Sequence, residues 1–167
     1  MKPKSLEIIR SKILERETLI HELYRWNFLS KKIVFTNGCF DLLHLGHIDY
    51  LAKAADEGDI LIVGVNSDAS ARGLKGPNRP INSQEQRLLL LAALHMVTAV
   101  VLFDEPTPYE LIKLVNPDVL VKGSDYKPSE IVGFDIVSAK NGLVKTIDYL
   151  DGYSTTKIEE KIKSGSR

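Results

Sequence analysis

Apolar, largely β-branched segments alternate with helix-length amphipathic segments along most of the chain. Within the apolar segments the hydrophobic residues stand at successive positions, as in strands that are covered on both faces of a sheet. These segments are residues 33–36, 60–65, 99–103, 119–121 and 143–147. The pattern therefore predicts five strands of a parallel sheet.

Amphipathic segments of helical length follow these strands. They cover residues 47–57, 83–94, 108–115, 129–140 and 155–163. Helices in the crossovers between parallel strands give an open, doubly wound α/β sheet, because such crossovers are right-handed. Ligands bind such sheets at the carboxyl ends of the strands, so we expect the chemistry just after Thr36, Val65 and Val121.

The first 30 residues have a different pattern, with apolar residues at roughly helical spacing and charges between them. We expect one or two helices here, forming an extension over residues 1–30 before a single domain over residues 31–167. These helices would pack on the outside of the sheet or on a second subunit. A homodimer is expected, because one small domain does not readily cover all these apolar residues.

Composition excludes several classes of protein. The 167 residues carry 22 Lys and Arg against 22 Asp and Glu, so no net positive charge attracts nucleic acid or an anionic membrane. The only cysteine, Cys39, has no partner for an internal disulfide. The apolar segments are too short to span a bilayer, and the charged N-terminus lacks the core of a signal peptide. We expect a soluble, cytoplasmic protein with neither nucleic acid nor membrane as a partner.

The segment FTNGCFDLLHLGH after the first predicted strand is the first candidate site. Asn37 and Gly38 permit a tight turn, which lets a ligand approach the backbone. His44 and His47 are three residues apart at the start of a helix, with Gly46 between them, so both imidazoles can face one anion beside free helix N–H groups. Such donors suit a phosphorus centre that gains negative charge. The alternative is a pair of surface histidines at a helix cap.

A basic segment, SARGLKGPNRPINSQEQR, follows the second strand. Its Arg72, Lys75, Arg79 and Arg87 predict a basic loop, with Arg87 fixed in the helix that follows, where phosphates need cations. An ordinary basic surface explains the same residues.

Two further segments contribute polar groups. Gly123 and Asp125 follow the fourth strand, where the carboxylate can accept a hydrogen bond from a sugar hydroxyl; an ordinary turn is equally consistent. Ser154, Thr155 and Thr156 lie at a predicted helix start, where Thr156 and Glu159 have capping-box spacing. Three hydroxyls exceed what a cap needs, so this start can also hold phosphates.

The sequence contains no P-loop, dinucleotide fingerprint, zinc cluster or GxSxG motif.

Four segments follow one another in order: FTNGCFDLLHLGH, VGVNSDASARGLKGPNRPINSQEQR, LVKGSDYKPSEIVG and DGYSTTKI. They resemble the nucleotidyltransferase superfamily that carries an HxGH signature and a terminal STT helix cap. Within it they resemble the adenylyltransferases of ADP-heptose synthesis in the assembly of the bacterial lipopolysaccharide core. The resemblance runs over residues 32–162 and implies a Rossmann-like nucleotidyltransferase domain.

The resemblance implies transfer of AMP from ATP to D-glycero-β-D-manno-heptose 1-phosphate, giving ADP-heptose and pyrophosphate. Its implied catalytic residues are His44, His47, Lys75 and Arg87. The implied nucleotide-binding residues are Thr36, Asn37, Gly38, Cys39, Phe40, Gly46, Lys122, Gly123, Asp125, Tyr153, Ser154, Thr155 and Thr156. The implied substrate-binding residues are Asp41, Asn66 and Arg79. Mg²⁺ is expected on the ATP phosphates and not on a protein motif.

Two features depart from the family. Ser124 stands where relatives often have a second glycine, and no sugar kinase segment accompanies these motifs, which implies that a separate kinase makes the heptose 1-phosphate.

The alternatives are a cytidylyltransferase acting on glycerol 3-phosphate or another small polyol or amino-alcohol phosphate, a nucleotide sensor without catalysis, and part of a class I aminoacyl-tRNA synthetase. His21 and His95 have no local partners and are interpreted as structural.

Overall fold

A parallel sheet forms the centre of the computed structural model, which describes residues 3–124 and 127–165. Its strands are β1 (Ile33–Gly38), β2 (Ile60–Asn66), β3 (Ala99–Phe103), β4 (Val119–Gly123) and β5 (Leu143–Ile147). Their order is β3-β2-β1-β4-β5, and every neighbouring pair is parallel. The chain thus winds from β1 to one edge and then from β4 to the other, which confirms the predicted strands and the doubly wound fold.

Eight α-helices and one short 3₁₀ helix are found within the described residues. The α-helices are α1 (Ser5–Arg10), α2 (Arg16–Phe28), α3 (Leu45–Ala55), α4 (Asp68–Lys75), α5 (Gln84–Ala92), α6 (Tyr109–Val115), α7 (Phe134–Ala139) and α8 (Thr155–Ser164), and the 3₁₀ helix is Pro128–Glu130.

Two predictions of secondary structure are wrong. The predicted basic loop begins with helix α4, because the Ser67 side chain accepts a hydrogen bond from the Ser70 N–H and so caps the helix start. The helix predicted over residues 129–140 is divided into the 3₁₀ helix and α7. Gly133 separates them with φ of +91°, a conformation that ends a right-handed helix.

The core consists of two apolar layers on opposite faces of the sheet. Successive residues of a strand point to opposite faces, so Phe35 packs in one layer and Val34 in the other. The layer around Phe35 includes residues of α2 and α6, and the layer around Val34 includes residues of α3 and α5. The polar residues at the carboxyl ends of the strands, such as Asn37 and Asn66, belong to neither apolar layer and lie at the edge where a ligand is expected.

The N-terminal segment forms the two helices expected of it and packs against the sheet. Leu19, Leu23 and Trp26 of α2 are buried in the same layer as Phe35. Between the helices, the Leu14 N–H donates to the Val100 carbonyl of β3 at 2.9 Å. None of the described helices is both long enough and apolar enough to cross a membrane.

Candidate active site

Two adjoining pockets open at the carboxyl ends of the strands. The first has a volume of about 430 Å³ and lies between the start of α3 and the start of α8. The second, of about 420 Å³, lies over the ends of β1, β2 and β4. His47 and Tyr149 line both pockets, so the two form one cleft with these side chains at its centre.

His44 and His47 lie together at the start of α3, as the sequence predicts. His44 is the N-cap residue, and its carbonyl accepts a hydrogen bond from the His47 N–H at 2.9 Å. Their rings stack with centroids 3.9 Å apart. The Nδ1 atoms of both rings are buried and have no hydrogen-bond partner among the described residues. Buried polar atoms are normally hydrogen-bonded, so two unpaired nitrogens side by side mark this helix start as a candidate functional site.

Burial keeps these imidazoles neutral. It lowers the pKa of His44 and is the largest cause of the lowered pKa of His47, which falls to about 4. The charge of Lys75, and that of His44 when it is protonated, lower the pKa of His47 further, whereas a backbone hydrogen bond with Leu42 raises it. At neutral pH the pair therefore consists of uncharged hydrogen-bonding groups until an anion approaches.

A strained backbone supports His47 from the side of β1. Phe40 has φ of +47°, which is rare for a bulky residue, and its ring meets the His47 ring edge-on at 5.3 Å between centroids. Such strain persists only where the surroundings enforce it, and it is common at functional sites.

Gly46 leaves the space that the His44 ring occupies. A methyl group added at Gly46 would lie 3.1 Å from atoms of the His44 ring and 3.4 Å from Cβ of Tyr153. This position therefore allows the start of α3 and the segment before α8 to approach each other closely.

The second pocket gathers the ends of three strands. Its lining comes from residues at or near strand ends, as expected for such a crevice, and includes Asn37, Gly38, Cys39, Phe40, Asn66, Lys75, Lys122 and Gly123. Lys122 Nζ donates to the Asn37 carbonyl at 3.3 Å, and Oδ1 of Asn37 is buried without a partner among the described residues. Lys75 is exposed at the end of α4 and forms no ion pair with any residue of 3–124 or 127–165. This pocket combines cationic and amide groups, which suit a phosphorylated polyol.

The side chain of Tyr149 covers Gly123. A methyl group added at Gly123 would lie 1.9 Å from the Tyr149 hydroxyl oxygen, so only glycine fits beneath this ring in its present position. Sequence reasoning missed Tyr149. Its signal was its position two residues after the carboxyl end of β5.

Helix α8 forms the other wall of the first pocket. Ser154 is its N-cap, and the Ser154 hydroxyl accepts a hydrogen bond from the Lys157 N–H at 3.1 Å. The predicted capping box of Thr156 and Glu159 is therefore wrong, because the helix begins two residues earlier than that box requires. Tyr153, Ser154 and Thr155 line the pocket, whereas Thr156 is exposed on α8.

Arg87 lies in the interior. Its side chain is 0% exposed, and its guanidinium donates to the Cys39 carbonyl at 2.6 Å, the Asn82 carbonyl at 3.1 Å and Asp68 Oδ1 at 2.8 Å. These three protein partners occupy the guanidinium, so its expected contact with phosphate stays a prediction. The structure instead places Arg87 behind the turn of Cys39 and Phe40.

Other candidate residues also have internal partners. Thr36 is buried with its hydroxyl 2.7 Å from that of Tyr50, and Asn66 donates to the Ser70 hydroxyl at 2.9 Å. Asp41 and Arg79 form an ion pair with 2.8 Å between Oδ2 and Nη1. Asp125 lies outside the described residues.

Comparison with known proteins identifies the class. The family model described as cytidylyltransferase-like matches residues 35–162. The chain belongs to this family of nucleotidyltransferases, which confirms the family resemblance found in the sequence.

The chain is also similar to individual relatives. It is 54% identical over 154 residues to a protein named bifunctional protein HldE from Wolinella succinogenes, an alignment that covers 92% of this chain and 32% of the relative. It is 57% identical over 152 residues to the HldE protein of Campylobacter jejuni, covering 91% of this chain and 32% of the relative. The chain thus spans about a third of the length of these relatives.

Two solved structures share the fold. One is a lipopolysaccharide core biosynthesis protein from Thermoplasma volcanium, with a TM-score of 0.61 and 30% identity, covering 74% of this chain and 99% of that chain. The other is a pantoate-beta-alanine ligase from Francisella tularensis, with a TM-score of 0.58 and 18% identity, covering 90% of this chain and 76% of that chain. The second likeness concerns the fold alone.

Proposed function

We propose that the chain transfers AMP from ATP to D-glycero-β-D-manno-heptose 1-phosphate, giving ADP-heptose and pyrophosphate. The cleft carries this proposal, because its stacked histidines face a hydroxyl-rich helix start on one side and a pocket with lysines on the other. Similarity to proteins named HldE, and to one named for lipopolysaccharide core biosynthesis, supports the choice of substrate.

The proposed reaction is a single displacement at the α-phosphorus of ATP. An oxygen of the sugar phosphate attacks this phosphorus in line, a new P–O bond forms, and the bond to the β-phosphate oxygen breaks so that pyrophosphate leaves. His44 and His47 stabilise the charge that grows on the α-phosphoryl oxygens. No protein nucleophile is required.

The remaining groups bind the two substrates. Ser154 and Thr155 at the start of α8 hold the outer phosphates, to which Mg²⁺ is bound as part of the ATP substrate. Lys75 and Lys122 attract phosphate charge in the second pocket, and Asn37 and Asn66 offer partners to sugar hydroxyls. Direct phosphate binding by Arg87 and sugar binding by Asp41 and Arg79 stay predictions, because all three side chains have internal partners.

The proposal has consequences beyond the site. The acceptor is a sugar phosphate, so a reaction that phosphorylates the sugar must precede this one. Because ATP is a cytoplasmic metabolite, the proposal places the reaction in the cytoplasm. Small molecules are the proposed partners, together with a second copy of the chain.

Pyrophosphate release tests the proposal directly. ATP, CTP and GTP are each combined with heptose 1-phosphate, other sugar 1-phosphates and glycerol 3-phosphate. We expect turnover with ATP and the heptose phosphate, and none with CTP and glycerol 3-phosphate. Preference for CTP with a polyol phosphate would overturn the substrate assignment and retain the chemistry, whereas no release with any pair would overturn both.

A further inference from the structure

Helix α8 forms one wall of the cleft but has little apolar attachment to the rest of the molecule. None of its residues Thr155–Ser164 is buried. Apolar burial is the main force that fixes surface helices of this length. Other contacts must therefore set the distance between its hydroxyl-bearing start and the histidines.

One such contact is polar and lies a full turn into the helix. The carboxylate of Glu159 pairs with Nη2 of Arg79, and both side chains are 20% exposed. The Arg79 guanidinium also donates through Nη1 to Asp41 Oδ2 at 2.8 Å, and the Asp41 side chain is 0% exposed. One guanidinium thus joins two carboxylates that are largely shielded from solvent.

The inner end of this bridge is firmly held. Asp41 Oδ1 accepts hydrogen bonds from the backbone N–H groups of Ile81 at 2.7 Å and Asn82 at 3.0 Å. Burial raises the pKa of Asp41, but the hydrogen bonds from Arg79, Asn82 and Ile81 outweigh it, so the pKa lies below its ordinary value. Asp41 is therefore charged at neutral pH and holds Arg79 in a fixed position.

Asp41, at the inner end of this ion-pair bridge, lies in the segment that carries the histidines. Asp41 directly follows Phe40, whose ring contacts His47, and it precedes His44 by three residues. The bridge of Asp41, Arg79 and Glu159 therefore joins the turn that supports the histidines to the helix on the opposite wall.

We propose that Glu159 is a positioning residue that, through Arg79 and Asp41, sets the start of α8 at the distance from His44 and His47 at which the cleft binds a nucleoside triphosphate. This inference rests on the proposed function, which places the outer phosphates at Ser154 and Thr155. Glu159 itself contacts no substrate.

Paired variants of adjacent residues test the role of Glu159. Glu159→Gln removes the charge and Glu159→Ala removes the contact, whereas Glu160→Ala removes an exposed carboxylate from the same helix. We expect Glu159→Ala to weaken MgATP binding, measured by calorimetry, about tenfold, as for a charge-assisted hydrogen bond, with Glu159→Gln between it and the wild type. At saturating ATP, kcat should stay within about threefold, because the transition-state contacts of the histidines are retained.

Amide hydrogen exchange without nucleotide measures the bridge itself. Exchange in α8 should be faster in both Glu159 variants and unchanged in Glu160→Ala, and MgATP should restore slow exchange. Equal exchange and equal MgATP affinity in the Glu159 and Glu160 variants would overturn the inference. A wild-type protein that binds MgATP but transfers no nucleotide would instead overturn the proposed function, and the exchange result would still decide the role of Glu159.

Discussion

At the scale of single residues, the stacked imidazoles of His44 and His47 are the strongest candidates for the proposed chemistry. Their buried Nδ1 atoms lack partners among the described residues, and both rings line the first pocket. Groups that are oriented before the reaction stabilise developing charge without a cost of reorganisation.

Removing either imidazole should therefore lower kcat more than ATP affinity. His44→Ala and His47→Ala should each reduce kcat by about 10²- to 10³-fold, and the double variant should lose less than the product of the two effects. Steady-state kinetics measure both parameters. The exposed His95 provides the control, since His95→Ala should leave kcat unchanged. If kcat of either motif variant stays within about threefold of the wild type, the assignment fails.

The lowered pKa of His47 predicts a dependence of stability on pH. Burial is the main cause of its fall from 6.5 to about 4. Between these values the unfolded chain binds more protons at His47 than the folded chain, so stability decreases as the pH falls through this window and is unaffected by His47 above it. Urea unfolding should show a shallower decrease in His47→Ala than in the wild type. Identical slopes would show that His47 titrates normally.

Arg87 is a cation close to the candidate phosphate site, but its contacts in the structure are internal. Arg87→Ala leaves the Cys39 and Asn82 carbonyls without their donor and Asp68 without its partner, so we expect a loss of about 3 kcal/mol in the free energy of unfolding. Denaturant unfolding measures this loss, and the exposed Arg72 on α4 supplies a matched control. Unchanged stability together with a raised KM for a substrate would instead indicate direct phosphate binding.

At the scale of the element, Gly46 in the first turn of α3 lowers the stability of the helix but leaves room for the His44 ring. Glycine is about 1 kcal/mol less favourable than alanine inside a helix. At Gly46, however, a methyl group would press on the His44 ring at 3.1 Å, whereas at Gly73 in α4 nothing lies within 4 Å.

Alanine at these two glycines should separate stability from activity. Gly73→Ala should raise the free energy of unfolding by up to about 1 kcal/mol and leave kcat unchanged. Gly46→Ala should leave stability near the wild-type value and lower kcat by about tenfold or more, because His44 is displaced. Thermal unfolding and steady-state kinetics check the pair. Equal kcat in both variants would show that the His44 ring tolerates the shift.

The sequence predicted elements well where one periodicity dominates. Strands β1 to β4 are mainly apolar and largely buried, and the structure confirms them together with β5, which is more exposed at the edge of the sheet. Helix α4 escaped notice because its glycine and polar residues resemble a loop, and its formation depends on the cap at Ser67. Hydrophobic periodicity in a sequence indicates which residues are buried. A helix that depends on one capping hydroxyl, such as that of Ser67, has no such periodicity.

At the scale of the whole molecule, the strand order brings the candidate site together. Because β1 lies between β2 and β4, the segments after these three strands meet at one edge of the sheet. The sequence predicted this meeting from topology, since parallel strands present their carboxyl ends on the same side. The ion pair between Arg79 and Glu159, which are 80 positions apart, depends on how the helices pack against the sheet. No local sequence pattern predicts it.

The outer surface of α2 leads to the last prediction, which concerns assembly. Tyr24 and Phe28 are four residues apart on one face of this helix and are 74% and 89% exposed. Neighbouring Leu29 is 51% exposed. Large apolar side chains grouped in this way are typical of an interface, and a two-fold axis lets one patch cover its own copy.

Light scattering at micromolar concentration should therefore give twice the 18.7 kDa mass of the chain. Phe28→Ser should shift the mass towards that of the monomer, because it removes the most exposed of these side chains from the interface. Ile162 on α8 is also apolar and 72% exposed, so Ile162→Ser is the matched control and should leave the mass unchanged. A monomeric wild type would refute the dimer, and a dimer that persists in Phe28→Ser would place the interface away from α2.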